Sequence, residues 1–333
     1  MSTALVVTTI NAPNPVMRDL LSACQKSGVD FVIVGDRKSP TDFSLPGATY
    51  MDIEAQHTAF GAFSQQLPLG HYARKNVGYL HALRDGAKWI VETDDDNFPL
   101  GNFLDHPEAG SARVLSAKND HAWLNVYDYF APTAPVWPRG LPLDRVLGCD
   151  QVDEHQASNA PVLVQGLAQD NPDVDAVFRL TRPLPVRFAE EATAVVLSEN
   201  VWCPFNSQNT WWQRRLAPLM YLPSYCSFRM TDIWRSFVAQ RCLWAQGLQV
   251  TFVAPSVRQE RNEHDLMRDF ADEVPGYLHN DRIRERLSAL SLNGDMHTDL
   301  LSCYQALVGE GLVDSAEVPL VKSWLDELSR LGL

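Results

Sequence analysis

Basic charge, paired cysteines and long apolar runs are all scarce in this sequence. Lys plus Arg number 28 against 41 Asp plus Glu, a formal net charge of −13 in 333 residues. So acidic a chain lacks the broad basic face that nucleic acid or an anionic membrane requires, which excludes both as general partners. A small anion held by a few local basic groups stays compatible. The six cysteines, at 24, 149, 203, 226, 242 and 303, contain no Cys-x-x-Cys pair and no zinc spacing. Free thiols in a reducing compartment are expected. No stretch reaches the ~18 apolar residues of a membrane span. The opening MSTALVVTTI has neither a charged n-region nor a long h-region. A soluble, cytoplasmic protein is the expectation. Internal repeats and low-complexity tracts are also absent.

What is present suits a folded α/β enzyme. Hydrophobic residues make up 45% of the chain, with 9 Trp, 9 Tyr and 14 Phe, enough for a sizeable core. ALVVTTI (4–10) and DFVIVGD (30–36) are β-branched runs with a helical stripe between them, closed by Gly28. A loop rich in Pro, Gly and Ser leads to a helix over 71–87 and a third strand, KWIVETD. This strand–helix alternation predicts a parallel sheet whose ligands sit at the carboxyl ends of the strands. Further on, AWLNVYDYF, TAVVLS (193–198) and QVTFVAP read as strands. VWPRGLPLD and DNPDVDAVFRLTRPLPVRF read as ordered loops. TDIWRSFVAQRCLWAQG (231–247) reads as a helix opened by Thr231 and closed by Gly247. From 256 onward helix-prone charged sequence dominates. The division expected is a nucleotide-binding and catalytic domain over 1–255 and a helical extension over 256–333.

KWIVETDDDNFP carries the main chemical signal. Asp94, Asp95 and Asp96 follow a buried strand directly, and three adjacent carboxylates repel unless a cation or water lies among them. Mg²⁺ or Mn²⁺ bridging carboxylates to ligand phosphates would fill that need; a solvated acidic turn is the alternative. HYARKN puts Arg74 and Lys75 at a helix start, where an anion is favoured. GDRKSP adds Asp36 for a ribose or base and Lys38 for a phosphate. PFNSQNTWW mixes amides and indoles, as sugar sites do, or is a buried loop whose amides satisfy one another. Asp232, at the start of the 231–247 helix, is a dipole-stabilising residue or a base facing the cleft.

In that order, ARKNVGYLHAL, DGAKWIVETDDDNFP, VWPRGLPLD, DVDAVFRLTRP, PFNSQNT and TDIWRSFVAQRCLWAQG, together with GDRKSP, resemble the glycosyltransferase-like domain of the plant STELLO proteins, over roughly residues 4 to 258. The Asn-x-Gly-Tyr to Asp-Asp-Asp layout is more distantly similar to the reversibly glycosylated polypeptides, which are nucleotide-sugar mutases. The resemblance implies a GT-A-like, Rossmann-type α/β fold, a mostly parallel sheet flanked by helices, and a nucleoside-diphosphate sugar, UDP-linked. It implies a DxD-type Mn²⁺ or Mg²⁺ site at Asp94 and Asp96, and Asp232 as the catalytic carboxylate of an inverting transfer to a hydroxyl acceptor. Thr8, Thr9, Asp36 and Lys38 are expected to hold the nucleotide and Arg74 the diphosphate. Asn76, Asp94, Asp95, Asn206 and Gln208 are further donor-site candidates. Relatives carry a His after the late strand where this chain reads PSVRQE, with Arg258 and Gln259; His264 is the nearest substitute. STELLO proteins also have a membrane anchor, for which no segment here is a candidate. A nucleotide-sugar mutase and a non-catalytic sugar-nucleotide-binding scaffold stay open as other readings.

Overall fold

The computed structural model describes residues 2–260 and 265–333. β1 (Thr3–Thr8) is apolar and β-branched and buried on both faces, as a strand inside a parallel sheet must be. Asn14 then accepts the Met17 N–H, Pro15 opens α1 (Pro15–Ser27), and Gly28 at φ 64° ends it. β2 (Asp30–Val34) follows. The expected loop between Asp36 and His71 instead carries a short β3 (Thr49–Met51) and α2 (Ile53–Gln66). Asp52 caps α2, but non-helical backbone at Phe60 kinks it, so its apolar residues never form one straight stripe. A 3₁₀ turn over Tyr72–Arg74 leads into α3 (Lys75–Arg84), shorter than the 71–87 expected. α3 lies directly on the sheet at Gly78. A Cβ there would come within 2.5 Å of Val6 and 2.7 Å of Val34. β4 (Trp89–Thr93) is wholly buried and delivers the acidic turn.

β1 pairs in parallel with β2 and β4, and β2 with β3. The remaining strands are β5 (Asn97–Pro99), β6 (Gly110–Ala117), β7 (Ala122–Trp123), β8 (Val152–Asn159), β9 (Leu163–Gln169), β10 (Ala194–Leu197), β11 (Val201–Trp202), β12 (Asn209–Gln213) and β13 (Val250–Gln259). α4 (Ala176–Thr181) lies between β9 and β10, and α5 (Thr231–Ala245) between β12 and β13. The main sheet runs β3-β2-β1-β4-β12-β9-β13-β10-β6-β8, with β5 on β13 and a separate β7–β11 pair. β12 enters antiparallel to both β4 and β9, so NTWWQ occupies the middle of the sheet. AWLNVYDYF is extended only at β7; Val126–Phe130 coils into a 3₁₀ helix.

α6 (Leu266–Ser288), α7 (Met296–Gly309) and α8 (Glu317–Arg330) form the expected C-terminal helices. The 255/256 boundary falls inside β13, and these helices share one apolar core with the sheet. Trp324 of α8 packs on Phe63 of α2 and on Tyr221. Glu317, opening α8, accepts the N–H groups of Ser224 at 3.0 Å and Tyr225 at 2.6 Å.

One buried ion pair ties these layers together. Arg235 of α5 donates to both oxygens of Glu92 on β4, at 2.7 and 3.1 Å. Trp212 of β12 donates to Glu92 at 2.8 Å, and the Tyr79 hydroxyl of α3 donates to it as well. The guanidinium also lies 5.0 Å from the Trp212 ring centroid. Removing one partner strands the other charge out of reach of water. Arg235→Met should therefore lower the unfolding free energy by ~3–5 kcal/mol, read by urea denaturation. Adding Glu92→Gln should cost less than the sum of the single changes.

Candidate active site

The carboxyl ends of β1, β2 and β4 open into a cavity of about 610 Å³, closed on its far side by the start of α5. Thr8, Thr9, Asp36, Lys38, Arg74, Asp94, Asp95, Asp96, Asn206, Gln208 and Asp232 all line it. Asn76 does not. Its buried carboxamide bridges the Leu222 N–H and carbonyl, both at 2.8 Å, and so fastens α3 to the 221–225 segment.

The three consecutive carboxylates coexist because each has a different partner. Asp94 accepts from the fully buried Lys75 ammonium at 2.9 Å, and Lys75 also donates to the Thr93 carbonyl. Burial raises the Asp94 pKa to about 6, against the pull of Lys75 and with a further push from Asp96. Asp95 turns toward β1, accepting from Thr9 Oγ1 at 2.5 Å and Asn11 Nδ2 at 3.0 Å. Asp96 faces β13, where Gln259 Nε2 lies 3.2 Å from each of its oxygens. Below the turn runs a web of amides. Gln165 donates to the Asn206 side chain, Asn206 Oδ1 accepts the Gln208 N–H, and Thr93 Oγ1 donates to the Gln208 carbonyl at 2.7 Å. These amides brace the acidic turn from beneath.

Asp232 forms the opposite wall. It is 4% exposed and accepts from Arg139 Nη2 at 3.1 Å to each oxygen. Ser207 and Ile233 contribute their backbone N–H groups at 3.2 and 3.0 Å. Burial alone would raise this carboxyl, but Arg139 overcomes it and holds Asp232 well below the usual carboxylate range. Tyr72 accepts the Asp232 backbone N–H at 3.0 Å.

Two of the expected residues also hold the protein's own structure in place. Arg74 is buried, and its guanidinium donates to Gln56 Oε1 at 2.8 Å, Ser64 Oγ at 3.1 Å and the Leu67 carbonyl at 3.2 Å. It ties α2 to the turn before α3. Asp36 accepts the N–H groups of Arg37 and His71, shaping the rim beside the exposed Lys38. Arg139, Asp173, His71 and Tyr72 belong to the site or its supports without having been singled out for it. Of the two HYARKN cations expected to favour an anion, Lys75 is the one that reaches the acidic run, at Asp94.

A divalent cation has two carboxylates available, Asp94 and Asp96, on one wall. Among the described residues no group of three or more His, Cys, Asp or Glu is arranged for a metal. Mg²⁺ or Mn²⁺ bound through one or two carboxylates and the phosphates of a ligand needs no third protein ligand, so the donor set fits that mode and not an all-protein cage. Arg258 stacks on Phe98 and pairs with Glu260; His264 lies outside the described residues.

Residues 229–333 match the family described as STELLO glycosyltransferases. Two Arabidopsis thaliana proteins are similar to nearly the whole chain. Probable glycosyltransferase STELLO2 is 27% identical across 98% of it, and Probable glycosyltransferase STELLO1 is 27% identical across 94%. The chain spans 45% and 43% of their lengths. The sequence is thus STELLO-like, and the likeness runs through the C-terminal helices, past the roughly 4–258 expected. Among the described residues no helix is long and apolar enough to cross a membrane.

His71 gives the site rim a pH dependence. Its Nδ1 accepts the Ala73 N–H at 3.1 Å, a bond that protonation of the ring would break. Burial, partly offset by Asp36, lowers its pKa from 6.5 to about 4. Between those values the unfolded chain binds a proton that the folded chain does not. This contribution is therefore whole above pH 6.5 and is lost as pH falls toward 4. Urea denaturation of the wild type should show that loss, and His71→Asn should remove that part of the slope. Identical slopes in both proteins would contradict it.

Proposed function

We propose that this STELLO-like chain is a metal-dependent glycosyltransferase. It takes a UDP-linked sugar as donor and passes the sugar to a hydroxyl acceptor with inversion. The observation that carries the reading is the pairing of two acidic features across one cavity. The Asp94–Asp96 turn lies on one wall and the ionised Asp232 on the other. The names of the relatives, probable glycosyltransferases, agree with it.

In this reading the nucleoside sits at the ends of β1 and β2, beside Thr8 and Asp36, with Lys38 at the rim near the phosphates. Asp94 and Asp96 would hold Mn²⁺ or Mg²⁺, which supplies positive charge to the departing diphosphate. Lys75 and Gln259 keep those two carboxylates oriented, and Thr9 keeps Asp95 out of their way. Asp232 faces the sugar from across the cavity and takes the acceptor proton while the sugar–phosphate bond breaks on the opposite side of the ring. A mutase would use the same donor site without an acceptor, so product analysis separates the two.

Without a cation the acidic turn repels a diphosphate. Calorimetry should find UDP binding in Mn²⁺ and none in EDTA, and Asp96→Ala should abolish it. Equal affinity in both buffers would sink the metal assignment.

Asp232→Asn keeps shape and polarity but removes the base. It should cut kcat by ~10²–10⁴ while donor affinity stays within a few-fold. Retention of the donor's anomeric configuration, read by NMR of the product, would overturn the inverting mechanism.

A further inference from the structure

Arg139 reaches the cavity from a loop that is built to hold it. Trp137 donates to Asp175 at 2.7 Å, and Asn125 donates to the Val136 carbonyl at 2.7 Å. Asn280 of α6 donates to the Gly140 carbonyl, also at 2.7 Å. Gly140 sits at φ 94°, and a Cβ on it would fall 2.5 Å from Ile233 Cγ2 on α5. Only glycine lets the loop lie this close to the residue after Asp232.

The guanidinium that results is 5% exposed and fully engaged. Nε and Nη2 donate to the two oxygens of Asp173 at 2.8 Å each, a fork on a carboxylate. Nη2 also reaches both oxygens of Asp232, and Nη1 donates to the Arg229 carbonyl. Among the described residues, the charged or titratable groups facing Asp232 include Arg139 from its loop, with Asp173 behind it on the same guanidinium, Tyr72 from the turn before α3, Asp94 from the acidic turn, Cys226 from the segment before α5, and Arg235 on its own helix. Arg235 is committed to Glu92. Arg139 is therefore the cation in contact with the carboxylate.

We propose that Arg139 is a positioning residue for the transfer, aiming the Asp232 carboxylate into the cavity and setting its strength as a base. The proposal rests on the reading that Asp232 receives the acceptor proton. The Nη2 group of the Arg139 guanidinium donates to both Asp232 oxygens and stabilises the ionised form, so Asp232 stays ready at low pH but is a weak base. Without Arg139, burial acts unopposed by its largest counter-charge, and the carboxyl takes up a proton at higher pH. Arg139→Lys keeps the charge but loses the fork, so its effect should be intermediate.

The test has one readout independent of turnover. Carboxyl ¹³C NMR of the unliganded protein, with the Asp232 signal assigned through Asp232→Asn, follows this group from about pH 8 to about pH 4. The wild-type signal should stay flat, while Arg139→Met should titrate within that range and Arg139→Lys should begin to. The second readout is the pH profile of UDP release from UDP-glucose. Between about pH 7 and pH 5 the wild type should hold its rate within about twofold, and Arg139→Met should lose ~10-fold or more. A flat Asp232 signal in Arg139→Met overturns the proposal. If the signal shifts and the pH profile does not, Arg139 governs Asp232 but the base assignment under Proposed function fails instead. Should Arg139→Met not fold, Arg139→Lys decides alone, and a flat Asp232 signal there overturns the proposal.

Discussion

The Glu92–Arg235 pair is the constraint on which the cavity depends. Glu92 lies two residues before the acidic run and Arg235 three residues after Asp232, so the pair fixes how far apart the two functional walls stand. An apolar pair of similar volume could stabilise the same spot as well or better. What an ion pair adds is direction. Two charge-assisted bonds, an indole N–H and a phenol converge on one carboxylate and admit a single register of β4, α5, α3 and β12.

Around that fixed frame, charge is managed locally. The cavity carries Asp36, Asp94, Asp95, Asp96, Asp173 and Asp232, yet these carboxylates are met by donors placed beside them. Lys75 answers Asp94, Thr9 and Asn11 answer Asp95, and Arg139 is divided between Asp173 and Asp232. The overall charge of −13 is therefore offset locally, because the cations are placed against the carboxylates of the cavity. The C-terminal helices share this work. Glu273 of α6 pairs with Arg229 just before α5, and Glu317 of α8 gathers the N–H groups of the 224–225 backbone.

Much of this was legible in the sequence, for reasons that also explain where it was not. β1, β2 and β4 are unbroken apolar runs, α1 has its Asn-Pro opening and Gly closing, and the acidic run follows a strand directly. All of these signals are local. LVQGLAQ and NTWWQ hid as strands because their amides look like surface until one sees that Gln165, Asn206, Asn209 and Thr210 satisfy one another. α2 hid behind its kink. Arg74 drew notice as a cation beside an acidic motif, but sequence does not say which acceptor a guanidinium will find. Gln56 and Ser64 took it. Arg139 stood inside a quoted motif, and only the fold revealed that its loop ends against α5.

The antiparallel entry of β12 has a consequence for how the chain must assemble. The strands β3, β2, β1 and β4 come from the first part of the chain and pair mainly over modest sequence separations, so they can form early. Until residues 209–213 arrive, β4 is left as an edge strand made of Trp, Ile, Val, Glu and Thr, with its Glu lacking the Trp212 indole and its apolar face bare. Such an edge invites pairing with another chain. Closing it takes a strand made more than a hundred residues later, so the stretch of synthesis between the two is when this protein is most open to misassembly.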